Sequence, residues 1–340
     1  YIYHYDLARR GNPLQHWLWR NRNVEIYLMK ILLIAMASTY DYLVPLLESE
    51  GSTVKVVTGK EGGNTLCLQF ARPEDIEYVL AEIESFKPDF VVNAITRLIL
   101  PESNDYVYLG NTEASARLET QKKETRAKAG ELGWLLPEVL EDCTLLTVSE
   151  HAQTCYVKPS DNTTHMPTVK IPGGTNLSRV SVGAKDYPCF VERGVDYAVE
   201  AFCYFTIADG QYAIARTIGV LGYGNDKLFE RSGDDWRPDI IWVDLTAEQH
   251  EAFTAKCESW LSYAATLGGN YEGSIGGAIS EGLEVFWFEQ NSRPDTYDIG
   301  ALPAGASQWL DALTSNPAAS INQLTAEETV AHCGFGAPSD

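Results

Sequence analysis

Basic residues are scarce in this sequence, and it has no long apolar run. The 340 residues contain 26 Lys plus Arg against 47 Asp plus Glu, which gives a formal net charge of −21. Because this surplus of negative charge repels phosphate backbones and anionic lipids, we expect no nucleic acid and no membrane surface as the main partner. The strongest apolar run, Ile31 to Met36, has the length of a strand and is too short to span a bilayer.

Paired cysteine motifs are also missing. The seven Cys residues are scattered, their number is odd, and none forms a Cys-x-x-Cys pair. This usage predicts reduced thiols that serve as small core residues rather than a disulfide framework or a zinc site. We therefore expect a soluble, cytoplasmic protein.

The apolar content is high enough for a packed core. Hydrophobic residues make up 45% of the chain and aromatic residues 11%, which excludes a mainly disordered protein. Because 340 residues is about twice the usual domain size, we expect two or three domains.

Residues 1–28 differ from the rest of the chain. They are rich in aromatic residues and Arg, sustain neither a helical nor a strand period, and lack the apolar segment of a signal peptide. Directly after them, Met29-Lys30-Ile31-Leu32-Leu33-Ile34 reads like the start of a cytosolic α/β protein. We expect that Met29 is the natural start and that 1–28 is an atypical extension; a genuine arm that packs on a partner is the alternative.

The segment 29–110 alternates apolar strands with helical patterns. The expected elements are the strands Met29–Met36, Thr53–Thr58, Asp89–Ile95 and Tyr106–Leu109 and the helices Thr39–Glu50 and Glu74–Phe86. This order predicts a small parallel sheet with helices on both faces. Since no Gly-x-Gly-x-x-Gly follows the first strand, a dinucleotide site is not indicated.

The rest of the chain predicts one helix, a strand-rich middle and two long hairpins. The helix covers Thr112 to Leu132, and a second helix begins at the capping box Thr246-x-x-Gln249. The hairpins are Tyr197–Ala208 with Gln211–Leu221, turning at Asp209-Gly210, and Ser274–Ser280 with Leu283–Asn291, turning at Glu281-Gly282.

Three strand ends carry polar side chains suited to a nucleotide and a metal ion. On the last strand, Glu289 and Asn291 share one face while Gln290 points away, and their oxygens suit Mg²⁺. Lys158 ends one apolar strand, where its ammonium group can reach a phosphate. Glu192 ends another, where the strand edge and a carboxylate can bind adenine. Solvated strand ends are the alternative interpretation.

The order of these elements resembles the ATP-grasp superfamily. The shared order is a lysine-bearing helix, a Val-Lys-Pro strand, a strand ending in Glu, a long hairpin, a helix, and a strand with Glu-x-Asn-x-Arg-Pro. Residues 109–122, with Gly-x-Thr and Ala-Arg-Leu-Glu before Lys122, are most similar to the phosphoribosylamine–glycine ligase branch. The resemblance covers residues 29–303, and the segments 109–122 and 288–294 carry most of its specificity.

The resemblance implies a set of contacts with ATP. Lys122 and Lys158 would contact its phosphates. Val191 and Glu192 would supply contacts to adenine, and Asp196 would hold the ribose in place of the usual Glu.

The resemblance also implies a metal site and phosphate-binding arginines. Glu289 and Asn291 would bind Mg²⁺, with Mn²⁺ as an alternative metal, and Arg293 would contact a phosphate or an acyl phosphate. Arg216, on the second arm of the long hairpin, is a further phosphate clamp. The family usually has another metal-binding acid across the hairpin from Glu289. If Glu281-Gly282 is a two-residue turn, Ser274 lies at that position, and Glu272, opposite Asn291 and displaced by two residues, is expected to substitute for the acid.

Besides the displaced metal-binding acid, the sequence departs from the family pattern at two places. The glycine-rich phosphate loop after the Val-Lys-Pro strand is replaced by 160–165, with only Gly173-Gly174 nearby. The Gly-Gly-Arg-Glu-His segment of true phosphoribosylamine–glycine ligases is replaced by Ala37-Ser38-Thr39-Tyr40-Asp41. The amine-substrate site therefore differs from that of the branch.

Together these observations predict an α/β (α+β) ATP-grasp protein. We expect a small Rossmann-like domain at 29–110, an ATP-grasp domain at 111–312 with a small lid at about 151–195, and a tail at 313–340. The expected reaction joins a small-molecule carboxylate to an amine with ATP and Mg²⁺ through an acyl phosphate, releasing ADP and phosphate. The alternatives are a true phosphoribosylamine–glycine ligase of purine synthesis and an inactive nucleotide-binding scaffold.

Overall fold

A computed structural model describes residues 29–35, 43–58, 73–101, 103–144, 147–160, 168–175, 188–221, 241–294 and 306–320. The expected extension 1–28, the replaced loop after Ser160 and the tail beyond Ser320 lie outside the described residues. None of the described helices is both long enough and apolar enough to cross a membrane.

The first sheet has four parallel strands in the order β2-β1-β3-β4. Its elements are β1 (Lys30–Ile34), α1 (Leu43–Ser49), β2 (Thr53–Val57), α2 (Pro73–Phe86), β3 (Phe90–Asn93) and β4 (Val107–Leu109). Alternate residues of β1 pack on opposite sides: Ile31 joins a core with α1, and Leu32 joins a core with α2. The prediction of a small parallel sheet covered on both faces is confirmed.

The segment predicted as one helix from Thr112 to Leu132 is two helices. The helices are α3 (Glu113–Thr120) and α4 (Lys122–Glu131). Gln121, at φ −108° and ψ 66°, leaves the helical conformation and separates them. The break places Lys122 at the start of a new helix, where its side chain is directed independently of α3.

A small antiparallel sheet follows, in the order β5-β8-β6-β7. Its strands are β5 (Val139–Thr144), β6 (Cys155–Pro159), β7 (Val169–Ile171) and β8 (Pro188–Arg193). Lys158 on β6 lies opposite Phe190 on β8, and Tyr156 lies opposite Glu192. This small sheet contains most of the predicted lid, about 151–195. Its strand β5 precedes the predicted lid in the sequence.

The large sheet has five antiparallel strands in the order β11-β10-β9-β12-β13. Its elements are β9 (Val199–Ala208), β10 (Gln211–Leu221), β11 (Ile241–Val243), α5 (Ala247–Ala264), β12 (Tyr271–Ile279) and β13 (Val285–Asn291). One face packs on α5 through a core that contains Phe205, Phe253, Trp260 and Trp287. The predicted capping box is present, because Thr246 and Gln249 each accept a hydrogen bond from the backbone of the other.

The first hairpin turn is as predicted and the second is not. Asp209 and Gly210 both have positive φ, 50° and 72°, as a tight two-residue turn between β9 and β10 requires. The β12–β13 connection instead covers residues 280–284, with Leu283 at φ 62°. A bulge at Phe288 shifts the pairing again, so Ser274 lies opposite Asn291 and Gly276 lies opposite Glu289. The predicted register, with Ser274 opposite Glu289, is wrong.

The last described α-helix returns to the first sheet. This helix, α6 (Ala306–Thr314), contributes Trp309, Leu310 and Leu313 to the core that contains Ile31 and Leu33. It also lies beside β9 of the large sheet. The predicted boundary between residues 312 and 313 falls inside this helix.

Candidate active site

The face of the large sheet turned away from α5 carries the polar residues. Directly opposite residues of antiparallel strands project to the same side, so the pairings define rows across this face. The rows are Arg216, Tyr204, Ser274 and Asn291; then Ile218, Phe202, Gly276 and Glu289; then Val220, Glu200, Ala278 and Phe286. We call this surface the site face.

Glu289 and Asn291 share the site face, as predicted from the alternation of the strand. The Asn291 side-chain amide donates to Ser274 Oγ at 3.4 Å. Gln290 projects into the opposite core, where its Oε1 accepts a hydrogen bond from Trp260 Nε1. The strand therefore brings one carboxylate and one amide together on a single surface.

Lys122 forms an ion pair with Glu289. Its Nζ lies 2.8 Å from Glu289 Oε2, and the Glu289 side chain remains 36% exposed. The Lys122 ammonium lowers the pKa of Glu289 below its usual value, and Lys158 and Arg293 add smaller effects of the same sign. Glu289 is therefore held ionised among three cations.

Lys158 lies between the two antiparallel sheets. Its Nζ is 2.7 Å from Glu192 Oε2, donates to the carbonyl of Phe288 at 3.3 Å and lies 5.5 Å from the Phe288 ring centre. The bulge that re-registers β13 thus presents Phe288 to Lys158. The backbone N–H of Lys123 donates to Ser160 O at 3.4 Å, which ties α4 to the end of the same strand.

Glu192 is a buried carboxylate with two cations. Besides Lys158, it pairs with Arg126 Nε on α4 at 2.5 Å, and its side chain is only 3% exposed. Sequence reasoning missed Arg126, although its place in the first turns of the lysine-bearing helix was a signal. Without both cations a carboxylate at this depth would be strongly destabilising.

A second buried carboxylate, Glu119, holds Arg293 in place. Glu119 Oε1 accepts from Arg293 Nε at 3.0 Å, and its Oε2 accepts from Thr96 Oγ1 at 2.7 Å and from the Ser292 backbone N–H at 2.9 Å. These bonds connect the first sheet, α3 and the end of β13. Glu119 lies in the Ala-Arg-Leu-Glu segment, but this positioning contact was not foreseen.

Sequence reasoning also missed Glu200, which lies in the third row of the site face. It is 7% exposed and accepts a hydrogen bond from Tyr197 Oη at 3.0 Å. Burial raises the pKa of Glu200 to about 7; the Tyr197 hydrogen bond and Lys158 oppose this rise, and Glu289 adds to it. An acidic residue inside the apolar strand Val199–Ala208 was the signal that could have found it.

Glu272 has a different environment from the one expected. It does not lie opposite Asn291, and its carboxylate accepts a hydrogen bond from Trp309 Nε1 of α6 at 3.1 Å. Burial raises its pKa to about 7. The register that placed Glu272 beside the metal pair is therefore corrected, and its role at a metal ion stays a prediction.

The remaining predicted residues lie on neighbouring strands. Arg216 is buried on β10, in the row that ends at Asn291. Val191 is buried at the centre of the small sheet, and Asp196 is exposed in the connection between β8 and β9. The nucleotide contacts expected of these three residues stay predictions.

The site face offers oxygen ligands of the type Mg²⁺ prefers. Glu289 supplies an ionised carboxylate and Asn291 an amide oxygen on the same surface. In the described part of the chain, no group of three or more His, Cys, Asp or Glu side chains is placed to hold a metal ion. The donor set therefore fits a hard cation that takes its other ligands from phosphate oxygens and water.

Comparison with known proteins gives structural matches only. No family model matches the chain, and no curated protein matches it. Among solved structures, an L-amino acid ligase from Bacillus licheniformis has a TM-score of 0.52 at 14% identity, over 78% of this chain and 67% of that one. An N5-carboxyaminoimidazole synthase from Aspergillus clavatus, in complex with ADP and an aminoimidazole ribonucleotide, has a TM-score of 0.57 at 11% identity, over 89% and 80%.

A third match has a similar length. The VanG D-Ala:D-Ser ligase from Enterococcus faecalis has a TM-score of 0.53 at 11% identity and covers 90% of this chain and 98% of that one. At these identities the likeness establishes the fold. The chain has an α+β ATP-grasp fold, as the sequence predicted; the phosphoribosylamine–glycine ligase branch stays a prediction.

Proposed function

We propose that this protein is an ATP-dependent ligase that joins a small-molecule carboxylate to an amine and releases ADP and phosphate. One observation carries the proposal: Lys122, Lys158 and Arg293 lie around the ionised Glu289 at the edge of the site face. These cations come from three separated segments of the chain. Cations gathered in an otherwise acidic protein suit a polyphosphate ligand.

Nucleotide binding is assigned to the place where the small sheet meets the site face, at Lys158 and Phe288. Lys122 and Lys158 contact the phosphates, exchanging their Glu289 and Glu192 partners for phosphate oxygens. Val191 and Glu192 contact the adenine, and Asp196 contacts the ribose. The depth of the Glu192–Lys158 pair supports this assignment, because a pre-ordered cation costs less to immobilise on binding.

The proposed metal-binding and catalytic roles follow from the positions of the charged side chains on and beside the site face. Glu289 and Asn291 hold Mg²⁺, which neutralises charge on the phosphate oxygens when bound. Arg293, oriented by Glu119, and Arg216 stabilise negative charge on the transferred phosphoryl group and the acyl phosphate. The protein's own contribution is therefore positioning and electrostatic stabilisation.

The named activities of the structural neighbours support the same reaction class. Two neighbours are named as an L-amino acid ligase and a D-Ala:D-Ser ligase, and a carboxyaminoimidazole ribonucleotide synthase was solved in complex with ATP. We infer that the substrates are small polar molecules, with amino acids as the first class to screen. The branch that acts on phosphoribosylamine remains the narrower alternative.

The test measures ADP release during incubation with Mg-ATP and pairs of amino acids or other amines and carboxylates. We expect turnover with at least one pair, reduced roughly 100-fold or more by Glu289→Ala, since removing a transition-state contact has effects of this size. Glu284→Ala, at an exposed position of the β12–β13 connection, is the matched control and keeps full turnover. Equal turnover in wild type and Glu289→Ala would reject the assignment.

A further inference from the structure

Glu200 is a buried acid on the site face to which the proposed reaction gives no role. It lies on β9 opposite Ala278, one row away from the row that contains Gly276 and Glu289. Only 7% of it is exposed, and Tyr197 Oη is its hydrogen-bond donor. Lys158 and Lys170 act on its charge electrostatically, but none of the ion pairs among the described residues includes Glu200. Because burying a carboxylate is costly, its presence on a functional surface needs a reason.

The surroundings connect Glu200 to the predicted metal pair. The Tyr197 ring packs edge-on against Phe288, with 6.3 Å between ring centres, and Phe288 immediately precedes Glu289. Lys158 Nζ lies 5.5 Å from the centre of the same Phe288 ring, and both Lys158 and Glu289 act electrostatically on Glu200. Glu200 and Glu289 therefore belong to one cluster of charges on the same face.

At the two positions opposite Glu289 and Asn291, strand β12 carries no carboxylate. The residue opposite Glu289 is Gly276, and the residue opposite Asn291 is Ser274. The Phe202 ring covers Gly276 so closely that a Cβ added there would lie 3.3 Å from it. A divalent cation held by Glu289 and Asn291 thus has no carboxylate directly opposite it on β12. The acids in the two adjoining rows are Glu272, whose carboxylate accepts a hydrogen bond from Trp309 Nε1, and Glu200, which lies on the Glu289 side.

We propose that Glu200 is a further ligand, directly or through a bound water, of the divalent cation that accompanies the nucleotide. This inference rests on the proposed function. A divalent cation between Glu200 and Glu289 would offset the repulsion of two like charges and the cost of burying one of them. Glu200 would then supply the acidic ligand that is missing from the position opposite Glu289 on β12.

The test uses Mn²⁺ as the probe, because its free form gives an electron paramagnetic resonance signal that is lost on binding. Mn²⁺ is titrated into a mixture of ADP and the full-length protein, with the protein in excess over ADP. The proteins compared are wild type, Glu200→Gln and the control Glu258→Gln, whose side chain is exposed on α5. We expect Glu200→Gln to weaken Mn²⁺ binding to the protein–ADP complex roughly 10- to 100-fold, the range seen when the support of a metal ligand is lost. Glu258→Gln should bind Mn²⁺ like wild type.

Controls separate this inference from the proposed function. ADP affinity in EDTA should be similar in wild type and Glu200→Gln, because the metal is then absent. If Mn²⁺ binds the wild-type–ADP complex and Glu200→Gln binds it equally well, the role of Glu200 is overturned while nucleotide binding stands. If wild type binds no ADP with or without metal, both proposals fall.

A second variant covers the case in which Glu200→Gln does not fold. Glu200→Asp keeps the negative charge but retracts the oxygens by one methylene, so Mn²⁺ affinity should again fall. Circular dichroism establishes folding before each titration. A folded Glu200→Asp protein with wild-type Mn²⁺ affinity would overturn the proposal.

Discussion

Lys122 Nζ lies 2.8 Å from Glu289 Oε2, although 167 residues separate the two in the chain. The pair joins the start of α4 to the end of β13 and makes each side chain the counterion of the other. Under the proposed function, a nucleotide that takes Lys122 onto its phosphates would release the Glu289 carboxylate for a metal ion. Two of the groups that the proposed function assigns to Mg-ATP therefore neutralise each other in the structure.

Replacing Lys122 by Met should weaken ATP binding. A charge-assisted hydrogen bond contributes about 1.5–3 kcal/mol, so we expect a loss of roughly 10- to 100-fold in affinity by isothermal titration calorimetry. Lys128→Met, on the same helix and paired with Glu131, is the matched control and should bind ATP normally. Unchanged affinity in Lys122→Met would exclude a phosphate contact for this residue.

Replacing Glu119 by Gln should destabilise the protein and disturb Arg293. The variant weakens a buried carboxylate that accepts from Thr96, Ser292 and Arg293, so we expect the free energy of unfolding to fall by about 1–3 kcal/mol. Urea denaturation measures this change. The control is Glu113→Gln, an exposed position on the same helix.

The two roles of Glu119 can be separated by kinetics. If Glu119 orients Arg293, Glu119→Gln should lower kcat more than it raises the KM for ATP. The effect of Arg293→Ala should then be smaller in the Glu119→Gln background than in wild type, because contacting residues couple. Additive effects would mean that Glu119 serves stability alone.

The burial of Glu272 predicts a pH-dependent stability. Its pKa in the folded protein is about 7, raised from 4.5 by burial. The folded state thus holds the proton more tightly than the unfolded state. The stabilising contribution is fully present below about pH 4.5 and is lost as the pH rises through about 7.

Glu272→Gln should therefore be more stable than wild type above pH 7, by roughly 3 kcal/mol, and lose less stability between pH 4.5 and 7. Denaturation curves at a series of pH values test this expectation. Glu281→Gln, which is exposed, should follow the wild-type curve. Parallel curves for wild type and Glu272→Gln would show that the carboxyl is not the source of the pH dependence.

Local patterns determined much of the fold and part of the site. Asp209-Gly210 forced a tight turn, and strand alternation placed Glu289 and Asn291 on one face and Gln290 on the other. Both features depend only on neighbouring residues, which is why the sequence was sufficient to predict them.

Features set by tertiary packing were not predictable in this way. The β12–β13 register depends on Leu283 in a left-handed conformation and on the bulge at Phe288, whose carbonyl accepts a hydrogen bond from Lys158 of the small sheet. The role of Glu119 likewise depends on Ser292 and Arg293, which are distant in sequence. An acid inside an apolar strand marks Glu200, but its place in a cluster with Lys158 and Glu289 is set by segments distant in sequence.

The most direct test of the central claim is a thermal-shift titration with Mg-ATP, with Mg-ADP and EDTA controls, on wild type and Glu289→Ala. A ligand that binds only the folded state stabilises it by roughly 2.7 kcal/mol at a hundredfold excess over Kd. We predict a rise in Tm with Mg-ATP that EDTA reduces and Glu289→Ala abolishes. No shift in wild type at millimolar nucleotide would contradict the account and leave the ATP-grasp fold without its proposed function.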